Sequence, residues 1–183
     1  MDEETAQGAP LICTVGHSTH TLEEFAELLK RNSVTHILDV RTVPRSRRNP
    51  QFNKDALPAS LALEGVAYTH LPKLGGLRRT QPDSVNTGWR NASFRGYADY
   101  MQTDEFSENV DKVMELASLE RCALMCAEAL PWRCHRSLIA DALVLRGALV
   151  EDIIGLQARK THRLTPWAHV DGLQIIYPPE PEP

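Results

Sequence analysis

Residues 122–136 read CALMCAEALPWRCHR, and the fold follows from how this stretch divides. Cys122 to Cys126 is a continuous apolar run of strand length. Glu128, Pro131 and Trp132 carry a turn, and Arg133-Cys134-His135-Arg136 leads into an amphipathic helix running to Arg146. A strand that is apolar at every residue is buried on both faces, which is the habit of a parallel sheet. A buried strand thus delivers two thiols, a carboxylate, an imidazole and two guanidiniums to a helix N-terminus. Unpaired N–H groups and the helix dipole favour anions there.

The same grammar holds on both sides of this stretch. Leu11 to Val15, Val34 to Val40, Val66 to Leu71 and Leu149 to Ile154 are further apolar runs. Between them, Thr21-x-x-Glu24 reads as a capping box for a helix over Leu22 to Arg31. A second helix begins near Pro58, with Gly65 just past its end. Helix starts again over Tyr97 to Met101, and Thr103 caps another in which Phe106, Val110, Val113, Met114 and Ala117 share a face. Gly147 stops the helix after Arg136. Strands alternating with helices predict an α/β three-layer sandwich, with a mainly parallel sheet of about five strands and helices on both faces. Leu173 to Tyr177 reads as an edge strand. The expected organisation is a disordered 1–10, a single α/β domain over 11–155, a C-terminal extension over 156–177 packed on that domain, and a disordered 178–183.

The chain has 183 residues, 42% of them hydrophobic and 24% charged, which fits one globular domain with an ordinary core. Its net charge of −4 gives no global argument for nucleic acid. The arginines nevertheless gather in loops, while acids crowd the helices and both termini. MDEETAQGAP is acidic without an apolar core, so it reads neither as a secretory signal nor as a transit peptide, and no apolar run reaches spanning length. A cytoplasmic protein with no membrane partner is expected, with its four cysteines reduced unless they do redox work.

Ligands of open α/β sheets bind beyond the carboxyl ends of the strands. Four loops lie there: 16–20, 41–52, 72–95 and 127–136. The candidates for chemistry are Cys126, Cys134, Glu128 and His17. Cys134 has Arg133, His135 and Arg136 as sequence neighbours at a helix start, and each lowers a thiol pKa. Cys126 ends a strand, as a nucleophile or as a small core residue. Glu128 and His17 are placed for acid/base work. Arg41, Arg45 and Arg136, with His135, Ser18 and Arg133, are the expected ligand-binding groups, the ligand being a phosphate-bearing small molecule or a nucleic acid fragment. No C-x-x-C pair supports a zinc site, and no P-loop or G-x-G-x-x-G supports an ATP or NAD cradle, so no metal and no cofactor are assigned. Three readings stand: a hydrolase or transferase on a phosphate-bearing substrate; a nucleic-acid-binding module contacting backbone through Arg47, Arg48, Arg78 and Arg79; and a thiol redox sensor using Cys126 and Cys134.

Five motifs carry a family resemblance: TVGHSTHTLEEF, ILDVRTVPRSRRNPQFN, YTHLPKLGG, NTGWRNASFRGYADYM and MCAEALPWRCHRSLIADAL. In order, from about Ile12 to Gly155, they resemble the family called domain of unknown function 488. The resemblance implies a three-layer α/β fold in a cytoplasmic bacterial or archaeal protein, and it implies no reaction. Its motif positions fall on Gly16, His17, Ser18, Asp39, Arg41, Pro44, Arg45, Cys126, Glu128, Cys134, His135 and Arg136. Asp39-Val40-Arg41 and Cys126 to Ser137 are also similar to rhodaneses and cysteine phosphatases, which wrap a short loop of N–H groups around an anion. Here the loop between Cys126 and Arg136 is longer, lacks glycine and contains Pro131, so it departs from that cradle.

Overall fold

The computed structural model describes residues 8–181. The ends expected to be disordered fall partly on residues 1–7 and 182–183, outside the described ones. The main sheet contains β1 (Leu11–Gly16), β2 (His36–Asp39), β3 (Ala67–His70), β4 (Cys122–Cys126), β5 (Leu149–Gly155) and β6 (Ala158–Thr161), in the order β3-β2-β4-β1-β5-β6. The helices are α1 (Leu22–Arg31), α2 (Leu57–Leu63), α3 (Ala92–Tyr100), α4 (Asp104–Leu119) and α5 (Arg136–Leu145). The first five strands run parallel, as the continuous apolar runs predict. Among the described residues, no helix is long and apolar enough to cross a membrane.

Alternation along each strand sorts the core into two layers. Ile12, Leu38, Leu124 and Val150 pack with Val110 and Val113 of α4 and with Leu138, Ile139 and Ala142 of α5. Their neighbours Cys13, Ile37, Ala123, Met125 and Ile153 pack with Phe25 and Leu29 of α1 and Leu57 and Leu61 of α2. The sheet is therefore covered on both sides, and successive side chains point to opposite faces.

Local signals explain most of the boundaries. Both bonds of the Thr21–Glu24 capping box form, and α1 carries Glu23 and Glu24 in its first turn and Lys30 and Arg31 in its last. Gly147, at φ 85, ends α5 as expected. Two elements differ from expectation. Helix α3 starts at Ala92 instead of near Tyr97, because the Asn91 side chain accepts from the Ser93 and Phe94 N–H groups and caps it early. The edge of the main sheet is β6, antiparallel to β5. Leu173 to Tyr177 instead contributes β8 (Gln174–Ile176) to a separate hairpin with β7 (His169–Asp171). The chain turns back within two residues of Gly155, so β6 takes the free edge of β5 first.

Parallel pairing sets Gly16 beside Cys126, and Asp39 beside Met125. The carboxyl ends of β1, β2 and β4 thus meet, and the site sits there.

Candidate thiol site

Gly16 sets the close approach of the loop after β1 to the loop after β4. A Cβ there would overlap the Glu128 carbonyl, so only glycine lets the chain pass. The His17 N–H donates to the Cys126 carbonyl at 2.9 Å and the Ser18 N–H to the Ala127 carbonyl at 3.0 Å. Ser18 occupies the left-handed region at φ 47, which turns the chain off the sheet.

Cys126 and Cys134 are both free and buried, and their sulfurs lie 2.6 Å apart. Arg136, the first residue of α5, is fully buried beneath them. Its Nη1 donates to Cys126 Sγ at 3.0 Å and to the Glu128 carbonyl at 2.6 Å. Its Nη2 donates to the Ala129 carbonyl at 3.2 Å, and its Nε to Thr14 Oγ1 at 3.3 Å. The S–H donated by Cys134, with the Arg136 charge, holds the Cys126 thiol down at about 6 against the opposing effect of burial. Donating that hydrogen bond, and burial, push the Cys134 thiol up. The thiol held low is Cys126, whereas sequence adjacency points to Cys134: Cys126 receives the Cys134 hydrogen bond and the Arg136 guanidinium, while Arg133 is exposed and His135 is uncharged.

His135 is held low, at about 4, mainly by burial. Its Nε2 lies 3.0 Å from the Val40 carbonyl, which can only accept, so Nε2 carries the proton. Nδ1 is then an unprotonated acceptor, 3.6 Å from Cys134 Sγ. Gly76 packs flat against this ring.

His17 is also neutral, lowered to about 4 by burial first and by the Arg41 charge. Nδ1 donates to the Ser18 carbonyl at 2.9 Å, Nε2 accepts from Arg41 Nη1 at 3.3 Å, and the ring stacks on Phe52 at 4.4 Å. Both nitrogens are occupied. Arg41 makes a bidentate pair with Asp39, Nε to Oδ1 at 2.9 Å and Nη2 to Oδ2 at 2.7 Å, and also donates to the Phe52 carbonyl. Arg41 and Arg136 therefore spend their donors internally. Arg45, Arg48 and Arg133 are exposed, and none has a carboxylate partner among the described residues. Glu128 is exposed as well, and its Oε1 accepts from the Leu130 N–H at 3.3 Å.

These groups surround a crevice of about 750 Å³. Cys126, Cys134, His135, His17 and Arg41 are among its lining residues, as are Ser18, Glu128, Arg45, Arg48 and Arg133; Arg136 is not. Arg78 and Arg95 lie elsewhere, donating to loop carbonyls around α3.

A second polar cluster continues from Arg136 and was missed in the sequence. Thr14 donates to Asp152 Oδ1 at 2.5 Å. His162 Nε2 donates to Asp141 Oδ1 at 2.7 Å, with Nδ1 3.7 Å from Asp152 Oδ2. Tyr177 donates to Asp141 Oδ2 at 2.7 Å. Burial opposes the His162 charge, yet the two carboxylates raise it to about 9. The available signal was an acid inside each of two apolar elements, Asp152 in β5 and Asp141 in α5.

Comparison with curated proteins and with solved structures gives no match. A family match covers residues 21–143, from the cap of α1 to the last turns of α5. It includes Asp39, Arg41, Cys126, Cys134, His135 and Arg136 and stops short of β1 with its His17-Ser18 turn. On that match, over more than half its length, the chain belongs to the family described as Domain of unknown function DUF488.

Proposed function

We propose that Cys126 and Cys134 form a dithiol–disulfide redox centre in a cytoplasmic protein, and that the centre exchanges with a small anionic disulfide held by Arg45, Arg48 and Arg133. The observation that carries this reading is one contact: two free thiols 2.6 Å apart, the first lowered by the second thiol's hydrogen bond and by a buried arginine. Only the thiolate attacks a disulfide, and the second thiol must reach the first sulfur to resolve the mixed species.

The steps balance within these residues. Cys126 thiolate attacks one sulfur of the substrate disulfide, forming a mixed disulfide and releasing one substrate thiolate. The substrate thiolate just released takes the Cys134 proton, and Cys134 attacks Cys126 Sγ, displacing the second substrate thiolate. Two electrons pass from the protein dithiol to the substrate, which leaves as two thiols once protonated. A thiol reductant then reduces the Cys126–Cys134 disulfide to the dithiol by the same exchange and is itself oxidised to a disulfide. Phosphoryl transfer is less well supported, because the loop turns the Glu128 and Ala129 carbonyls inward onto Arg136 and offers no ring of N–H groups around Cys126. A phosphate-bearing ligand, if bound, would rest on the three exposed rim arginines.

The test compares the dianion dithiodiglycolate with the dication cystamine. The dianion should lower the free-thiol count from four to two, at least tenfold faster than the dication. Cys134→Ser should trap a mixed disulfide on Cys126, seen as added mass. Iodoacetamide should label Cys126 before Cys134. Four free thiols throughout, or equal rates for the two charges, would sink the proposal.

A further inference from the structure

A second cavity, of about 810 Å³, borders the same loop through Pro131, Trp132 and Ser137. All three tryptophans of the chain line it. Trp132 is 54% exposed, while Trp89 and Trp167 pack edge to face at 5.1 Å. The indole N–H groups of Trp89 and Trp167 are buried with no acceptor among the described residues.

The same cavity is cationic in a chain of net charge −4. Arg159, Lys160 and Arg163 line it beside His162, whose charge Asp141 and Asp152 stabilise. Arg159 pairs with Glu151 at 2.9 Å. Lys160 has no carboxylate partner among the described residues and lies 5.8 Å from the Trp132 ring centroid. Arg163 likewise has none. Asp152, the one acid of the lining, is already bonded to Thr14. Aromatic faces beside unpaired cations suit a flat ring bearing negative charge. A cavity of this volume suits a small molecule.

We propose that this cavity binds a planar aromatic anion of mononucleotide size, with its ring on Trp132 and its anionic group between Lys160 and Arg163. This site is separate from the thiol crevice, and its assignment does not rest on the redox reading.

Tryptophan fluorescence reports this cavity specifically, since all three indoles line it. Titration with adenosine monophosphate, corrected for ligand absorption, should give a saturable change. Adenosine alone and inorganic phosphate alone should bind at least tenfold more weakly. A Lys160→Ala, Arg163→Ala double variant should lose at least tenfold in affinity, with unchanged circular dichroism as the folding control. The proposal is overturned by no saturable change, by adenosine matching the nucleotide, or by a double variant that binds like the parent. An oligonucleotide binding more tightly than the mononucleotide, and losing affinity steeply with salt, would overturn it in favour of a nucleic-acid surface.

Discussion

Arg136 under the thiol crevice and the neighbouring acid cluster are linked through the Thr14 hydroxyl, yet they neutralise buried charge in opposite ways. In the cluster, the His162 imidazolium sits between the Asp141 and Asp152 carboxylates, with Tyr177 closing the far side. Each charge there faces an opposite that neither oxidises nor exchanges. Beneath the crevice, Arg136 meets three neutral oxygens, and the group opposing its charge directly is the Cys126 sulfur. That partner ionises, oxidises and exchanges. A buried ion pair between chemically inert groups is structural. One that depends on a reactive group ties the reaction to the energetics of the fold.

The largest test of this contrast is Arg136→Leu. It removes the cation and leaves the Glu128 and Ala129 carbonyls and the Thr14 hydroxyl short of a donor. Breaking such a buried set is expected to cost about 3–5 kcal/mol in urea unfolding. A cost below about 1 kcal/mol would mean that the crevice floor is not held by this residue, and the contrast would fail.

The cluster is probed next, by pH. The folded state binds the His162 proton more tightly than the unfolded chain, at about 9 against an ordinary 6.5. The added stability is complete below pH about 6.5 and is lost as pH rises through about 9. A shift of 2.5 pH units corresponds to roughly 3 kcal/mol for this well-buried ring. His162→Gln should flatten that slope in a series of unfolding curves. An unchanged slope would show that the imidazolium is not what the two carboxylates hold. His17 acts in the other direction: its folded value near 4 makes the neutral ring a stabiliser that is lost as pH falls from about 6.5 toward 4.

The smallest effect sharpens the contrast from outside. Arg48→Ala removes a charge that makes no ion pair among the described residues, so stability should change by no more than about 0.5 kcal/mol. The reaction with dithiodiglycolate should nevertheless slow. A large loss of stability would move Arg48 from the ligand rim into the framework.

Much of this architecture was legible before the coordinates, for identifiable reasons. Strand β4 and helix α1 fall on the residues expected, because one is continuously apolar and the other is periodic and capped. The convergence of four loops at one sheet edge follows from parallel topology alone. What escaped was direction. Arg136 is two residues from Cys134 in sequence, but as the first residue of α5 it reaches back under the end of β4. The C-terminal region escaped for a different reason: its strands are three or four residues long, and most of their residues are exposed, so they carry no hydrophobic period.

The place of β1 in the sheet has a practical consequence for anyone who would trim this chain. The family match begins at residue 21 and ends at residue 143, so it leaves out β1, which is hydrogen-bonded between β4 and β5, and β5 itself. A fragment cut to the match would present Cys122 to Cys126, apolar throughout and entirely buried in the intact chain, as a bare edge. Such an edge recruits strands from other copies. The span of the family match is thus shorter than the span that keeps β4 paired on both sides, and residues 8–20, together with β5, belong to any fragment meant to fold.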